Sequence, residues 1–92
     1  MEPYYAVIFD NGYEAMAEEM VRLAKEQPGF INVESARNEI GITISYWETL
    51  EAIKSWKANV DHLQAQRKGR TEWYSQYKVR ICKVEREYSF AI

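Results

Sequence analysis

The sequence predicts a single α+β domain over residues 1–92, built in the order β-α-β-β-α-β. Four segments are rich in aromatic and β-branched residues, as strands are, and two longer segments repeat apolar residues at three- and four-residue steps, as amphipathic helices do. A chain of 92 residues provides one hydrophobic core and no material for a second. In this arrangement an antiparallel four-stranded sheet carries both helices on one face.

The first strand and the first helix follow each other across a short turn. Tyr4–Phe9 is the predicted strand, and Asp10-Asn11-Gly12 has the composition of a turn. A helix of about four turns should begin near Tyr13, because apolar residues then recur at helical spacing and charged residues occupy the other side. Gln27-Pro28-Gly29 ends this helix, since proline disfavours helical geometry in the residue before it.

The next two strands should form a hairpin. Phe30–Arg37 and Gly41–Trp47 are β-rich runs separated by a short connection, so we expect them to be antiparallel neighbours. Side chains of the second run alternate between the two faces of the sheet. We expect the more apolar set to lie under the helices and the mixed set to form an interface or a barrel interior; these sets are Ile42, Ile44 and Tyr46, and Thr43, Ser45 and Trp47.

A second helix and a last strand complete the domain. Thr49 is a suitable N-cap residue, and Gly69 marks a break before a short helical or irregular segment, Thr71–Tyr77. Lys78–Tyr88 is the last predicted strand, with a bulge between Ile81 and Val84 where the apolar alternation shifts. The helix presents one apolar stripe, made of Ile53, Trp56, Val60 and Leu63.

Composition limits the classes of partner. The net charge is −2 with acids and bases interspersed, which argues against a nucleic-acid-binding surface. No segment approaches the ~18–20 apolar residues of a membrane span, and the N-terminus lacks the pattern of a signal peptide. Cys82 is the single cysteine, so we expect a buried free thiol, no internal disulfide and a cytoplasmic location.

The candidate site lies in the segment from Trp47 to Tyr77, which holds all three tryptophans and the only histidine. His62 is the candidate proton shuttle or base, because histidine titrates near neutral pH; helix capping is its alternative role. The tryptophans of the same segment could wall a pocket, the arginines could bind an anion, and the tyrosine could donate a phenol hydrogen bond to a substrate. The alternatives are core packing, ion pairing and a chance match, respectively. These residues are Trp56, Arg67, Arg70, Trp73 and Tyr77.

Several chemistries have no sequence support. We find no cluster of metal ligands with proper spacing, no glycine-rich phosphate loop and no nucleophile elbow. These absences argue against hydrolysis, phosphoryl transfer and nicotinamide chemistry. Oxidation by O2 without a cofactor would require a substrate that can itself donate an electron as a stabilised carbanion.

Five motifs carry a resemblance to a known family. They are PGF at residues 28–30, VESAR at 33–37, SYW at 45–47, the spacing of Trp56, His62 and Arg70, and WYxxYxVR at 73–80. Together they resemble the antibiotic biosynthesis monooxygenase superfamily of small dimeric α/β-barrel proteins. The resemblance implies a ferredoxin-like monomer whose sheet face pairs with a second copy, so that a homodimer closes a β-barrel.

The resemblance also implies three functions to be compared. The first is a monooxygenase that oxidises an aromatic or quinol-type molecule with O2 and no cofactor, with His62 as the base. The second is a non-catalytic dimer that binds a small ligand. The third is haem binding and degradation, whose signature is an Asn on the first strand, a Trp on the second helix and a His ten residues later. Here Asn11 lies at or beyond the end of the first strand and Trp56 fits the Trp, whereas Gln66 replaces the histidine and His62 lies about one turn earlier.

Overall fold

The computed structural model describes residues 2–11, 14–37, 41–66 and 77–91, with side chains except at 11, 14–16, 37, 64–66 and 77. Its elements follow the predicted order, and the fold is the expected ferredoxin-like α+β arrangement. Within the described residues no helix is both long and apolar enough to cross a membrane. The elements are β1 Tyr4–Asn11, α1 Glu14–Lys25, β2 Phe30–Arg37, β3 Gly41–Trp47, α2 Leu50–Gln66 and β4 Tyr77–Val84.

The four strands form one antiparallel sheet in the order β2-β3-β1-β4. Cα partners in such a sheet project their side chains to the same face, so the register assigns every residue to one side. Both helices cover one face. The other face, called the open face below, contains three cross-strand rows: Ala36-Ile42-Asp10-Lys78, Glu34-Ile44-Ile8-Arg80 and Asn32-Tyr46-Ala6-Cys82.

The core lies between the sheet and the helices. Val7, Trp47 and Val60 have no exposed surface, and Trp47 is the largest of the fully buried side chains. The predicted apolar stripe of α2 is confirmed, because its first three residues are buried and Leu63 is half-buried. The buried cluster is Val7, Phe9, Met20, Ala24, Trp47, Ile53, Trp56 and Val60.

The prediction for the two faces of β3 is wrong. Thr43, Ser45 and Trp47 are buried under the helices, whereas Ile42 is 43% exposed on the open face. The physical reason is the indole of Trp47, whose large apolar surface outweighs the two small hydroxyl residues beside it. Its Nε1–H donates to the Ser45 hydroxyl oxygen at 2.9 Å, so the polar atoms do not oppose burial.

Other expectations need correction at the ends of strands. β1 continues through Asp10 and Asn11 instead of turning there, since both residues pair with β3 and β4. β4 ends at Val84 and pairs with β1 without interruption, so the prediction of a bulge in β4 is wrong. The register shift lies instead in β2, between Phe30 and Asn32.

Cys82 is exposed, whereas the sequence predicted a buried thiol, because its position in the edge strand β4 places it on the open face. The predicted segment Thr71–Tyr77 lies outside the described residues, apart from Tyr77, which begins β4.

The connections around the second helix agree with the sequence. The hydroxyl of Thr49 accepts a hydrogen bond from the Ala52 N–H at 3.1 Å, which confirms the N-cap. Gly29 has a φ of +90°, a conformation that favours glycine, and its carbonyl accepts the Glu48 N–H at 2.7 Å. A Cβ at Gly29 would lie 2.8 Å from the Ala52 Cβ, so this turn is packed directly against α2.

Gly29→Ala should therefore lower the free energy of unfolding by at least about 1–2 kcal/mol, because the positive φ and the close approach to Ala52 both penalise a side chain. Urea denaturation measures the loss. Ala52→Gly, which alone costs about 1 kcal/mol in a helix, should cost less in the Gly29→Ala background. Equal costs in the two backgrounds would show that the contact is unimportant.

Candidate functional site

Trp56 joins both helices to the sheet. Its ring centroid lies 5.5 Å from that of Trp47, with the planes tilted by 40°. The Trp56 Nε1–H donates to the carbonyl oxygen of Met20 in α1 at 3.0 Å. Only 2% of Trp56 is exposed, so the described structure gives it the core-packing role that the sequence left as its alternative.

His62 lies on a different side of α2 from Trp56. Six residues along a helix correspond to a rotation of about 240°, and His62 is exposed whereas Trp56 is buried. The structure therefore does not direct these two predicted site residues into one space. Arg67, Arg70 and Trp73 lie outside the described residues, and Tyr77 is described by its backbone, which pairs with Asn11. A common pocket for these residues stays a prediction.

The space behind Trp56 is almost filled. A cavity of about 10 Å³ remains between α1, α2 and the sheet, which is on the order of one water-sized probe. Its lining is mostly apolar, and the hydroxyl of Ser45 already accepts the Trp47 N–H. The lining residues are Phe9, Ala17, Met20, Val21, Ala24, Thr43, Ser45 and Trp56.

A larger groove lies outside this cavity, between α1 and the end of the β2–β3 hairpin. Its volume is about 520 Å³, within the range of small-molecule sites. Ala17, Val21 and Thr43 line both the groove and the inner cavity, so one wall separates the two spaces. Arg22 and Lys25 lie at the groove, and Arg22 also forms an ion pair with Glu26 at 3.4 Å.

Sequence reasoning missed this groove, because its walls come from elements distant in the chain. The signal that was available is the set of small residues at the facing positions, Ala17, Ser35, Ala36 and Gly41, which leave space where larger side chains would fill it. Such residues do not stand out in a sequence, since small residues are common in both helices and hairpins.

A second cleft of about 850 Å³ lies at one end of the open face. The rings of Tyr4 and Tyr46 meet edge to face there, with centroids 6.0 Å apart. The Tyr46 hydroxyl donates to a carboxylate oxygen of Glu34 at 3.4 Å. Four carboxylates line this cleft, those of Glu2, Glu34, Glu48 and Glu87.

Both cleft tyrosines hold their protons more tightly than usual. Partial burial raises the pKa of Tyr46, and the carboxylate of Glu34 raises it further through its charge and its hydrogen bond. Partial burial likewise raises the pKa of Tyr4, with Glu87 as the next contribution. These phenols are therefore hydrogen-bond donors rather than bases at neutral pH.

Comparison with known proteins identifies the family. The model of a family described as antibiotic biosynthesis monooxygenase matches residues 10–68, which is more than half of the chain. This chain belongs to the antibiotic biosynthesis monooxygenase family. This chain is also similar to the uncharacterized protein YqjZ of Bacillus subtilis (strain 168). The two are 48% identical over 97 residues, which cover 96% of this chain and 85% of YqjZ.

Solved structures of low sequence identity share the fold. SnoaB, a cofactor-independent oxygenase from Streptomyces nogalater, matches with a TM-score of 0.66 and 13% identity over 97% of both chains. A monooxygenase from the gene ActVA-Orf6 of Streptomyces coelicolor, solved with nanaomycin D, matches with a TM-score of 0.62 and 12% identity over 97% of this chain and 93% of that one. At these identities the comparison shows the antibiotic biosynthesis monooxygenase fold and not a shared substrate.

The residues of the haem-degrading branch of this family fit the chain poorly. That branch pairs a tryptophan with a histidine ten residues later, a position that Gln66 occupies here. His62 is exposed and Trp56 is buried on another side of α2, so the two do not face a common haem space. No group of three or more His, Cys, Asp or Glu residues in the described part of the chain is arranged to hold a metal ion. We therefore derive no reaction step through haem.

Ser45→Ala should lower the free energy of unfolding by about 1–3 kcal/mol, because it leaves the buried Trp47 N–H without an acceptor. Chemical denaturation measures this cost in the wild type and in the Trp47→Phe background, where no indole N–H remains. The cost should be smaller in that background. Ser35→Ala, at an exposed position, is the control, and equal costs of Ser45→Ala in both backgrounds would contradict the assigned role.

Tyr46 should ionise above the ordinary tyrosine value of about 10. Because the pKa of Tyr46 is higher in the folded than in the unfolded chain, it contributes to the free energy of unfolding. This contribution is fully present below pH ~10 and is lost as the pH rises through the folded-state pKa. Glu34→Gln should lower the Tyr46 pKa, because it removes the second largest cause of the shift, whereas Glu26→Gln should leave it unchanged. NMR of tyrosine labelled at Cζ follows each residue separately. A Tyr46 pKa insensitive to Glu34→Gln would contradict the electrostatic contribution.

Proposed function

We propose that this protein is a monooxygenase that oxidises an aromatic or quinol-type small molecule with O2 and needs no metal or organic cofactor. The observation that carries the proposal is the groove between α1 and the β2–β3 hairpin, whose inner wall backs onto the small apolar cavity beside Trp56. Membership of the antibiotic biosynthesis monooxygenase family supports the same class of reaction.

The reaction needs only a base and a dry site. Removal of a proton from an activated CH2 group gives a carbanion, which transfers an electron to O2. Recombination forms a carbon–oxygen bond as a hydroperoxide, and loss of water leaves a carbonyl, so one oxygen atom enters the product and the other leaves as water. A substrate that stabilises the carbanion over aromatic rings can react in this way without a metal.

The groove has the chemistry that such a substrate requires. The apolar side chain of Val21 offers surface to an aromatic ring, and the cationic groups of Arg22 and Lys25 can stabilise negative charge on the deprotonated substrate. The inner cavity of about 10 Å³ is mostly apolar and has room for about one water-sized probe, comparable in size to a diatomic gas molecule. We assign it to O2, one wall away from the substrate.

His62 is the proposed base, and it would have to reach the substrate from α2, because the groove itself is lined by residues of α1, β2 and β3. It is the only histidine of the chain, and it is exposed near the end of α2. The sequence that follows contains the proposed substrate-binding residues Arg67, Arg70, Trp73 and Tyr77, and Trp56 supports the site from within the core.

The proposed active form is a homodimer formed through the open face. Ile42 and Ile31 are each more than two-fifths exposed there, and the centre of the face is the apolar pair Ile8 and Ile44. An apolar sheet surface of this kind is commonly covered in solution. The single cysteine on the same face fits a reducing cytoplasm, which we propose as the location.

Oxygen uptake with a panel of anthrones and hydroquinones tests this function. Purified protein should accelerate oxygen consumption, and His62→Ala should lower kcat by about 10²–10⁴-fold, because it removes the base. Ser35→Trp, at an exposed groove position, should raise KM by blocking the entry of substrate. Lys54→Ala, on an exposed part of α2, is the matched control and should behave as the wild type.

The outcomes separate the alternative functions. Saturable binding of these compounds without oxygen uptake would identify a ligand-binding dimer and contradict the monooxygenase. A shifted Soret band on titration with haem, abolished by His62→Ala, would instead identify a haem protein. If His62→Ala leaves turnover unchanged, His62 is not the base, although the protein is still a monooxygenase.

A further inference from the structure

Thr43 differs from the other residues that line both the groove and the inner cavity. Ala17 and Val21, the other members of this shared wall, have no hydrogen-bonding group in their side chains. Thr43 brings a hydroxyl group to the wall, and only 9% of the residue is exposed. A buried polar group therefore lies at the boundary between the proposed substrate space and the proposed O2 space.

The hydroxyl of Thr43 has no hydrogen-bond partner among the described residues. Ser45, the other buried hydroxyl residue of β3, differs, because its oxygen accepts the Trp47 N–H at 2.9 Å. Within the described residues, no side-chain oxygen or nitrogen atom is both sealed from water and without a partner. The Thr43 Oγ1 atom must therefore reach the groove or the inner cavity, the two spaces that Thr43 lines.

This hydroxyl does not help the chain to fold. Burial of a hydroxyl without a partner opposes folding, and valine has the same branched shape without the polar atom. Thr43 pairs with Phe9, which is buried in the core, and with Ser35, which lines the groove, so it lies where the groove meets the core. A group that lowers stability at the wall of a cavity is typical of a functional site.

We propose that Thr43 is a catalytic residue whose hydroxyl donates a hydrogen bond to dioxygen once the substrate has reduced it. The assignment rests on the proposed monooxygenase function and on the proposed O2 site. The carbanion transfers one electron to O2, so that O2 becomes superoxide and the substrate becomes a carbon radical. A donor aimed at the place where negative charge develops stabilises that charge strongly in a site that excludes water.

The same donor serves the next steps without losing its proton. Superoxide and the radical combine through a carbon–oxygen bond, and the resulting peroxide anion takes up the proton that the base removed first. The base then removes a second proton from the same carbon, and the O–O bond breaks. The hydroxide that leaves takes up this proton and becomes water, and the substrate carbon becomes a carbonyl.

The other groups near the inner cavity do not supply this donor. The cations Arg22 and Lys25 line the groove and not the inner cavity, so they act on the substrate. The Trp56 N–H is already donated to the carbonyl oxygen of Met20. A neutral hydroxyl also suits a space for O2, because it leaves the cavity without a permanent charge until the electron arrives.

Two substitutions at Thr43 test the role of the hydroxyl. Thr43→Val removes it and keeps the branched shape, whereas Thr43→Ser keeps it and removes a methyl group. Oxygen uptake is measured at varied O2 concentrations with the compound of the anthrone and hydroquinone panel that the wild type oxidises fastest. Thr43→Val should lower kcat/KM for O2 by about 10²-fold, as removal of one donor from a developing anion does. Thr43→Ser should retain most of the wild-type value.

The substrate Kd and the release of superoxide identify the step that is affected. The Kd, measured by fluorescence titration without oxygen, should be the same in Thr43→Val and in the wild type. Superoxide that is no longer held beside the radical escapes, so Thr43→Val should release more of it per O2 consumed. Reduction of cytochrome c that superoxide dismutase suppresses measures this release. Ser55→Ala, which removes an exposed hydroxyl from α2, is the control and should behave as the wild type.

Stability gives a readout that does not depend on activity. Because the Thr43 hydroxyl has no partner among the described residues, Thr43→Val should unfold in urea at a midpoint equal to or above that of the wild type. A lower midpoint would show that the hydroxyl supports the fold, and it would overturn the catalytic role.

The remaining outcomes separate this role from the proposed function. An active wild type whose kcat/KM for O2 is unchanged by Thr43→Val would overturn the role of Thr43 and leave the monooxygenase in place. Equal losses in Thr43→Val and Thr43→Ser would also overturn it, because the shape of the side chain would then matter and the hydroxyl would not. A wild type that consumes no oxygen with any compound of the panel would overturn both proposals.

Discussion

The contact between the indole rings of Trp47 and Trp56 determines how the layers of this protein are arranged. The two rings lie 5.5 Å apart, and the Trp56 N–H reaches the carbonyl of Met20, so one cluster connects β3, α2 and α1. The Trp47 N–H is satisfied by Ser45 two residues earlier in the same strand. Burial of two large aromatic side chains contributes several kcal/mol, and no polar atom of either indole opposes it.

Burial of Trp47 also decides the character of the other face. Side chains alternate along a strand, so placing Trp47 under the helices directs Ile42 and Ile44 outward. The strand thus buries two hydroxyl residues and leaves β-branched apolar residues exposed. In the proposed homodimer this reversal has a physical benefit, since Ser45 satisfies the indole inside while the isoleucines would be available to contact the second copy.

The elements could be predicted from the sequence because local signals mark them. Pro28 and Gly29 end the first helix region, Thr49 caps the second helix, and the hairpin bounds follow from β-rich runs. The assignment of the β3 faces was wrong because it compared only the number of apolar residues on each face. The orientation of the strand depends instead on the large volume of the Trp47 indole and on Ser45, which accepts the indole N–H. An error of one residue in a period-two pattern reverses every side chain of the strand.

The candidate site could be predicted less well, for two separate reasons. The apolar stripe of α2 correctly indicated that Trp56 is buried, yet burial in the core removes it from an open pocket. The angular separation of Trp56 and His62 follows from helix geometry and could have been worked out from their spacing. The groove could not, because α1 and the hairpin become neighbours only in the folded chain.

The groove and the open face are connected through Ile42 and Ala36. Both residues belong to an open-face row, and both line the groove beside α1. In the proposed homodimer the partner would therefore also shield this side of the groove from water, and exclusion of water would strengthen the interaction of Lys25 and Arg22 with the proposed, negatively charged substrate. Association would thereby favour the proposed reaction without any movement of the backbone. Each copy would complete the dry surroundings of the other copy's groove.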